Sequence, residues 1–252
     1  MLIEQTADRL YAMKLNGMAD AFKEQLAQPD LNDLSFEERF ALLVDRHWIW
    51  KENRRMNRLL NNAKLKDNAC IEDIDFKTPR GLDKSVILRL AGSDWIKSAQ
   101  NIIITGPTGV GKTYLACAVA NSACRNSQAS MYKRAPRLYQ EIAIARADGS
   151  YPKLMNKFAK VKVLVIDDFC ITPMADAERR DLLEVIEDRQ GISSTIVATQ
   201  VPLENWFELI GDPTVADAIL DRLIHNAHKI NLKGESMRKI RSPLTKGKNS
   251  AN

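Results

Sequence analysis

At 252 residues the chain is long enough for one α/β domain with a smaller appendage. Its 45% hydrophobic and 27% charged content are those of a soluble globular protein. No window nears the about 18 uninterrupted apolar residues of a membrane span. The net charge of +5 and a pI of about 9.0 suit polyanionic partners.

Four scattered cysteines (Cys70, Cys117, Cys124, Cys170) have no metal-ligand spacing and read as small buried residues, so zinc is not expected. The N-terminal stretch MLIEQTADRLYAMKL carries charges throughout and has no apolar signal core, so a cytoplasmic protein is expected.

In chain order, residues 1–70 read as a small helical domain. Leu10, Met13, Met18, Phe22 and Leu26 follow a loose helical spacing up to a break at Pro29. Ser35 with Glu38 forms a capping-box signature, and the helix it opens reaches about Ala63. That helix becomes basic along its length, with Arg46, Lys51, Arg54, Arg55 and Arg58 against Glu52. The stretch Pro79-Arg80-Gly81 reads as a linker, and a helix is predicted over Asp83–Ala91.

Residues 71–241 form the second predicted domain, and 242–252 a polar tail. Apolar runs at Ile102–Thr105, Ala129–Tyr132, Val161–Ile166, Ser194–Thr199 and Lys229–Leu232 predict strands. They alternate with helices over Lys112–Arg125, Ala135–Ala147, Ala177–Arg189 and Asp217–Asn226. This alternation predicts a parallel five-stranded sheet flanked by helices.

Between the first strand and its helix, Gly106–Thr113 reads GPTGVGKT, the P-loop pattern in the setting that makes it specific. The candidate nucleotide-binding residues are Gly106, Pro107, Thr108, Gly109, Val110, Gly111, Lys112, Thr113 and Tyr114. The glycines let successive N–H groups face phosphate oxygens at a helix N-terminus. Lys112 is assigned to the β and γ phosphates and the Thr113 hydroxyl to Mg²⁺.

The Val161–Ile166 run leads into Asp167-Asp168, at the end of a buried strand read as lying beside the P-loop strand. Asp167 is assigned to Mg²⁺ and Asp168 to the attacking water, the alternative for Asp168 being a turn cap. Thr199 and Gln200 end the fourth strand and are candidates to sense the γ-phosphate. Arg222 is a candidate arginine finger for a neighbouring subunit's ATP, the alternative being an intrachain ion pair with Asp217 or Asp221. After Leu232 about twenty residues remain, too few for a helical lid, so an uncovered site closed by a neighbouring protomer is expected.

The segments LSFEERFALLVDRHW, ENRRMNRLL, ITGPTGVGKTYLACA, VLVIDDF, AERRDLLEVIEDR and DPTVADAILDRLIHNAHKINLKGESMRK carry a resemblance over nearly the whole chain. The chain resembles the IstB family of insertion-sequence ATP-binding proteins, within the AAA+ group that also holds the DnaC helicase loaders. The resemblance implies an AAA+ ATPase that assembles on duplex target DNA as a homo-oligomer and recruits and stimulates a partner transposase. It implies no transposase chemistry in this chain; no membrane partner is expected, for want of a long apolar window. One departure is Cys170, where relatives carry Gly, which bears on the local turn.

For DNA phosphates the candidates are Arg54, Arg55 and Arg58 on the long helix, and Lys133, Arg134 and Arg137 after the second strand. Each cluster also fits a solvated face. Arg238 is a further candidate nucleotide sensor. Rival readings are a helicase loader preferring single strands, a small-molecule P-loop kinase, and a nucleotide-gated scaffold in which hydrolysis only resets assembly.

Overall fold

The computed structural model describes residues 2–28, 33–237 and 239. The chain divides into two compact units, residues 1–58 and 59–252. The division falls inside one helix, earlier than the residue-70 boundary read from composition.

The first unit contains α1 (Leu2–Ala12), α2 (Asn16–Ala27) and most of α3 (Phe36–Ala63). Sequence spacing ran one apolar face across α1 and α2. The structure instead breaks the chain at Lys14, in left-handed backbone at φ 62°, where Lys14 and Leu15 N–H groups cap the carbonyls of Tyr11 and Leu10. The capping box at α3 forms as read: the Glu38 N–H donates to Ser35 Oγ at 3.2 Å, and the Ser35 N–H to Glu38 Oε2 at 2.8 Å. At Gly17, α2 meets α3 so closely that a Cβ would lie 2.6 Å from Trp50 Cβ.

The second unit is a five-stranded sheet in the order β2-β3-β4-β1-β5. Its strands are β1 (Asn101–Thr105), β2 (Ser130–Arg134), β3 (Val163–Asp167), β4 (Ser194–Thr199) and β5 (Ala227–Asn231). All neighbours pair in parallel. The strand ahead of Asp167 is therefore not beside the P-loop strand. β4 lies between them, because β3 pairs with β2 and β4 while β1 pairs with β4 and β5.

A parallel sheet needs both faces covered, and alternation along each strand divides its side chains accordingly. Ile102 and Ile104 join Val163, Val165 and Ile196 in one core beneath α6 (Lys112–Arg125). Ile103 joins Leu164, Ile166 and Val197 in the other, beneath α7 (Ala135–Asp148), α9 (Asp176–Glu187) and α11 (Pro213–Ile224). Cys117, Cys124 and Cys170 are buried, and Cys70 is half-buried.

Before β1 lie α4 (Lys84–Leu90), capped by Asp83 accepting from the Ser85 N–H, and a short α5 (Asp94–Lys97). The helices α5, α8 (Tyr151–Lys160) and α10 (Trp206–Ile210) were not read from the sequence. Gly149-Ser150 and Pro152 resemble a turn, yet proline suits a helix's first turn, and α8 buries Met155 and Phe158.

Arg189, almost wholly buried, ties this side of the fold together. It donates to the carbonyls of Phe158, Val161 and Ser194 and to Thr195 Oγ1, and burial lowers its pKa to about 9. No described helix is long and apolar enough to cross a membrane.

Candidate functional site

Parallel strands bring their C-terminal ends to one edge of the sheet, and the candidate residues of β1, β3 and β4 gather there. The loop leaving β1 turns through Gly106 (φ 145°), Gly109 (φ 86°) and Gly111 (φ 100°) before Lys112 opens α6. At Gly106 a Cβ would collide with the Leu232 carbonyl, and at Gly109 with Ser236 Oγ, so glycine is required by space as well as by backbone angle. Lys112 Nζ donates to the Pro107 carbonyl at 2.8 Å, which keeps the ammonium within the loop. Val110 is buried beneath the loop, and Tyr114 packs partly buried against the α6 core.

Thr113 Oγ1 donates to Asp167 Oδ2 at 2.9 Å. A hydroxyl that gives its proton to a carboxylate keeps its lone pairs for a cation, so the pair has the chemistry of an Mg²⁺ site. Asp167 is only 1% exposed at the end of β3. A second hydroxyl reaches the same oxygen: Tyr132, on β2, donates to Oδ2 at 2.6 Å. Burial first, and then this bond to Asp167, push the Tyr132 pKa far up, so the phenol stays protonated.

Asp168 stands in left-handed backbone at φ 57°, and Cys170 follows at φ 52°. Strained non-glycine backbone of this kind concentrates at functional turns. It also accounts for Cys170 occupying a place where glycine is at ease. The Asp168 carboxylate is held by Arg134, whose Nε donates to Oδ2 at 2.6 Å. That hydrogen bond and the nearby charge raise the Arg134 pKa. Asp168 is thus ion-paired in this chain.

Thr199 and Gln200, both read as candidate sensors, make different contacts. Thr199 is buried, donating to the Phe169 carbonyl at 2.5 Å and accepting from the Val201 N–H at 3.0 Å, so its hydroxyl braces the loops after β3 and β4. Gln200 reaches the P-loop, accepting from Thr108 Oγ1.

Arg222 lies at the opposite edge of the sheet. The Asn101 side-chain amide, at the start of β1, donates to the Arg222 carbonyl at 3.1 Å, while the P-loop begins at the other end of that strand. Five strand residues span about 16 Å, beyond the reach of an arginine to its own P-loop. Its guanidinium donates to Glu187 at 2.8 Å and to the Ala218 carbonyl at 2.9 Å. The ion pair is therefore with Glu187 of α9, not with Asp217 or Asp221. Sequence proximity suggested the latter two, but α9 and α11 pack together.

The segment after β5, read as too short for a lid, contacts the P-loop backbone. After β5 the chain turns back: the Leu232 N–H donates to the Thr105 carbonyl, the Lys233 N–H to the Arg80 carbonyl, and the Met237 N–H to the Gly109 carbonyl at 2.9 Å. Arg80, read only as part of a linker, is buried and donates to the Val110 carbonyl at 3.0 Å and to the Asp75 carbonyl at 2.8 Å. Both flanks of the sheet unit therefore brace the P-loop. Arg238 and residues 240–252 lie outside the described residues.

Among the DNA candidates, Lys133 faces away from Asp167 and pairs with Glu141, while Arg137 is exposed and bonds Gln140. On α3, Arg54 lies over the Trp50 ring at 5.2 Å, and Arg55 and Arg58 are exposed.

A sequence model of the IstB-like ATP binding protein family matches residues 8–244. The chain belongs to this family. It is 46% identical over 239 residues to the insertion sequence ATP-binding protein y4pL of Sinorhizobium fredii, covering 95% of this chain and 98% of the relative. To the IS1162 ATP-binding protein of Pseudomonas fluorescens it is 44% identical, covering 80% and 88%.

The crystal structure of the DnaC helicase loader superposes with a TM-score of 0.55 at 19% identity, covering 68% of this chain and all of that one. That likeness shows that the chain shares the fold of that loader over the part matched. Membership of an ATP-binding family agrees with the P-loop at Gly106–Thr113. No sequence signal marked Tyr132 or Arg80, because a tyrosine in a strand and an arginine in a Pro-Gly linker have no pattern of their own.

Proposed function

We propose that this IstB-like chain hydrolyses Mg²⁺-bound ATP at a site completed by a second copy, and uses that cycle to assemble on duplex DNA and engage a transposase. The observation that carries the reading is the convergence of the P-loop, the Thr113–Asp167 pair and Asp168 at one edge of the sheet.

Bound Mg²⁺ and ATP supply the electrophilic phosphorus and neutralise charge on its oxygens. The glycine loop presents N–H groups, and Lys112 exchanges the Pro107 carbonyl for phosphate oxygens. Thr113 and Asp167 would hold the cation. Asp168 accepts the proton of the attacking water at a carboxylate oxygen. Arg222 is too far from its own P-loop and is exposed in part. Those features support its service to a neighbouring copy's phosphates.

The N-terminal unit is proposed as the assembly or partner module. Its large apolar side chains, Phe36, Phe40, Trp48 and Ile49 among them, are exposed. For DNA, phosphate contacts are assigned to the exposed Arg55, Arg58 and Arg137 and, once free of Asp168, to Arg134.

Sedimentation with a defined duplex or the matching single strand, in ATP and in ADP, tests the reading. ATP-dependent growth on the duplex supports it. A strong preference for the single strand indicates a helicase loader, and a monomer indifferent to both forms removes the DNA assignment.

A further inference from the structure

Tyr132 and Arg134 are side chains at the carboxylate pair that the P-loop chemistry does not call for, and of the two Tyr132 reaches the carboxylate assigned to the cation. It lies on β2, the edge strand, in register with Val165, and its ring packs in the core beneath α6. Arg134, two residues on, is in register with Asp167. Side chains two apart share a face, so β2 directs Tyr132 and Arg134 to the same side, and each takes one carboxylate: Tyr132 takes Asp167 and Arg134 takes Asp168. Two strand residues advance about 6.6 Å, and the phenol spans that step with its ring buried and only its hydroxyl at the site.

The consequence concerns the torsion of the Asp167 carboxylate. That torsion is broad and roughly two-fold, so a single hydrogen bond leaves the group free to pivot. Thr113 supplies one bond, at 2.9 Å, and Tyr132 a second and shorter one, at 2.6 Å, both to Oδ2. Neither uses Oδ1. With Oδ2 held twice, the carboxylate plane is set, and Oδ1 has a fixed direction from which to meet a cation's water shell. The Thr113 hydroxyl, oriented by the same oxygen, keeps its lone pairs directed outward.

We infer that Tyr132 is a positioning residue that sets the affinity of the nucleotide complex for Mg²⁺ by orienting Asp167 through its hydroxyl. The inference rests on the proposed assignment of Thr113 and Asp167 to the cation. It goes beyond that assignment by placing control of metal affinity on an edge-strand residue outside the P-loop and the acidic pair.

The test is Tyr132→Phe, which keeps the buried ring and removes only the donor. Binding of a fluorescent ATP analogue is measured in EDTA and across an Mg²⁺ titration, with thermal unfolding of the same samples. Loss of an outer-shell partner lowers metal affinity 10–100-fold in comparable sites. The expected result is an Mg²⁺ midpoint raised about tenfold, with affinity in EDTA unchanged. Direct binding of Mn²⁺ to the nucleotide complex, followed by paramagnetic resonance, should weaken in parallel.

An unchanged Mg²⁺ midpoint in a folded variant overturns the inference. So does an equal loss of affinity in EDTA and in Mg²⁺, which would assign Tyr132 to packing alone. If the unaltered protein binds nucleotide with no dependence on Mg²⁺, the cation site itself falls, an outcome visible before any variant is made.

Discussion

The two units bury their apolar residues in different ways. In the sheet unit, isoleucine, valine, leucine and phenylalanine side chains fill cores on both faces of the strands. In residues 1–58 the described buried positions are Ala7, Gly17, Ala19 and Ala21, while Phe36, Phe40, Trp48 and Ile49 stay exposed.

Burying a large aliphatic or aromatic side chain stabilises by roughly 1.5–3 kcal/mol, and an alanine contributes far less. The sheet unit is therefore held by its own core, which lets it carry a strained turn at Asp168 and Cys170. The N-terminal helices rest on close backbone approach, and their larger apolar groups remain available to a partner.

Substitutions can break this division. Lys112→Ala should have the largest effect, abolishing detectable nucleotide binding while circular dichroism stays unchanged. Retained affinity for a fluorescent ATP analogue would remove the P-loop assignment. Arg222→Ala should leave nucleotide binding by the isolated chain intact yet lower turnover of the assembled protein by about a thousandfold. Equal turnover would return Arg222 to its pairing with Glu187. Asp168→Asn should keep ATP bound and slow hydrolysis by about a hundredfold or more, read as phosphate release.

Two smaller effects sharpen the comparison. Gly17→Ala drives a methyl into Trp50 and should cost about 1–3 kcal/mol in the N-terminal unit. Its thermal transition should fall and ATP-dependent sedimentation should weaken, with nucleotide affinity unaltered; reduced nucleotide affinity would mean the units are not separable. Arg137→Ala should weaken duplex binding a few-fold and lower the salt slope by about one, measured by anisotropy across salt concentrations. An unchanged slope would take Arg137 out of the DNA contacts.

Much of this was legible in the residues alone because it depends on local patterns. The P-loop needs glycines at fixed spacing after a strand, the Asp167-Asp168 pair ends a continuous apolar run, and Ser35 with Glu38 caps a helix through neighbouring atoms. The family resemblance followed from such segments.

What the chain could not disclose by itself depends on which elements become neighbours. That β4 separates β3 from β1 is a matter of strand order, and apolar runs look alike wherever they pair. Arg222 pairs with Glu187, Arg134 with Asp168 and Tyr132 with Asp167 across sequence separations of about 35 residues, where no periodicity links the partners. Arg80 and the Leu232–Met237 segment converge on the P-loop from opposite ends of the sheet unit. Local sequence determined which groups this protein carries, and the parallel sheet, by gathering its strand ends at one edge, decided which of them meet.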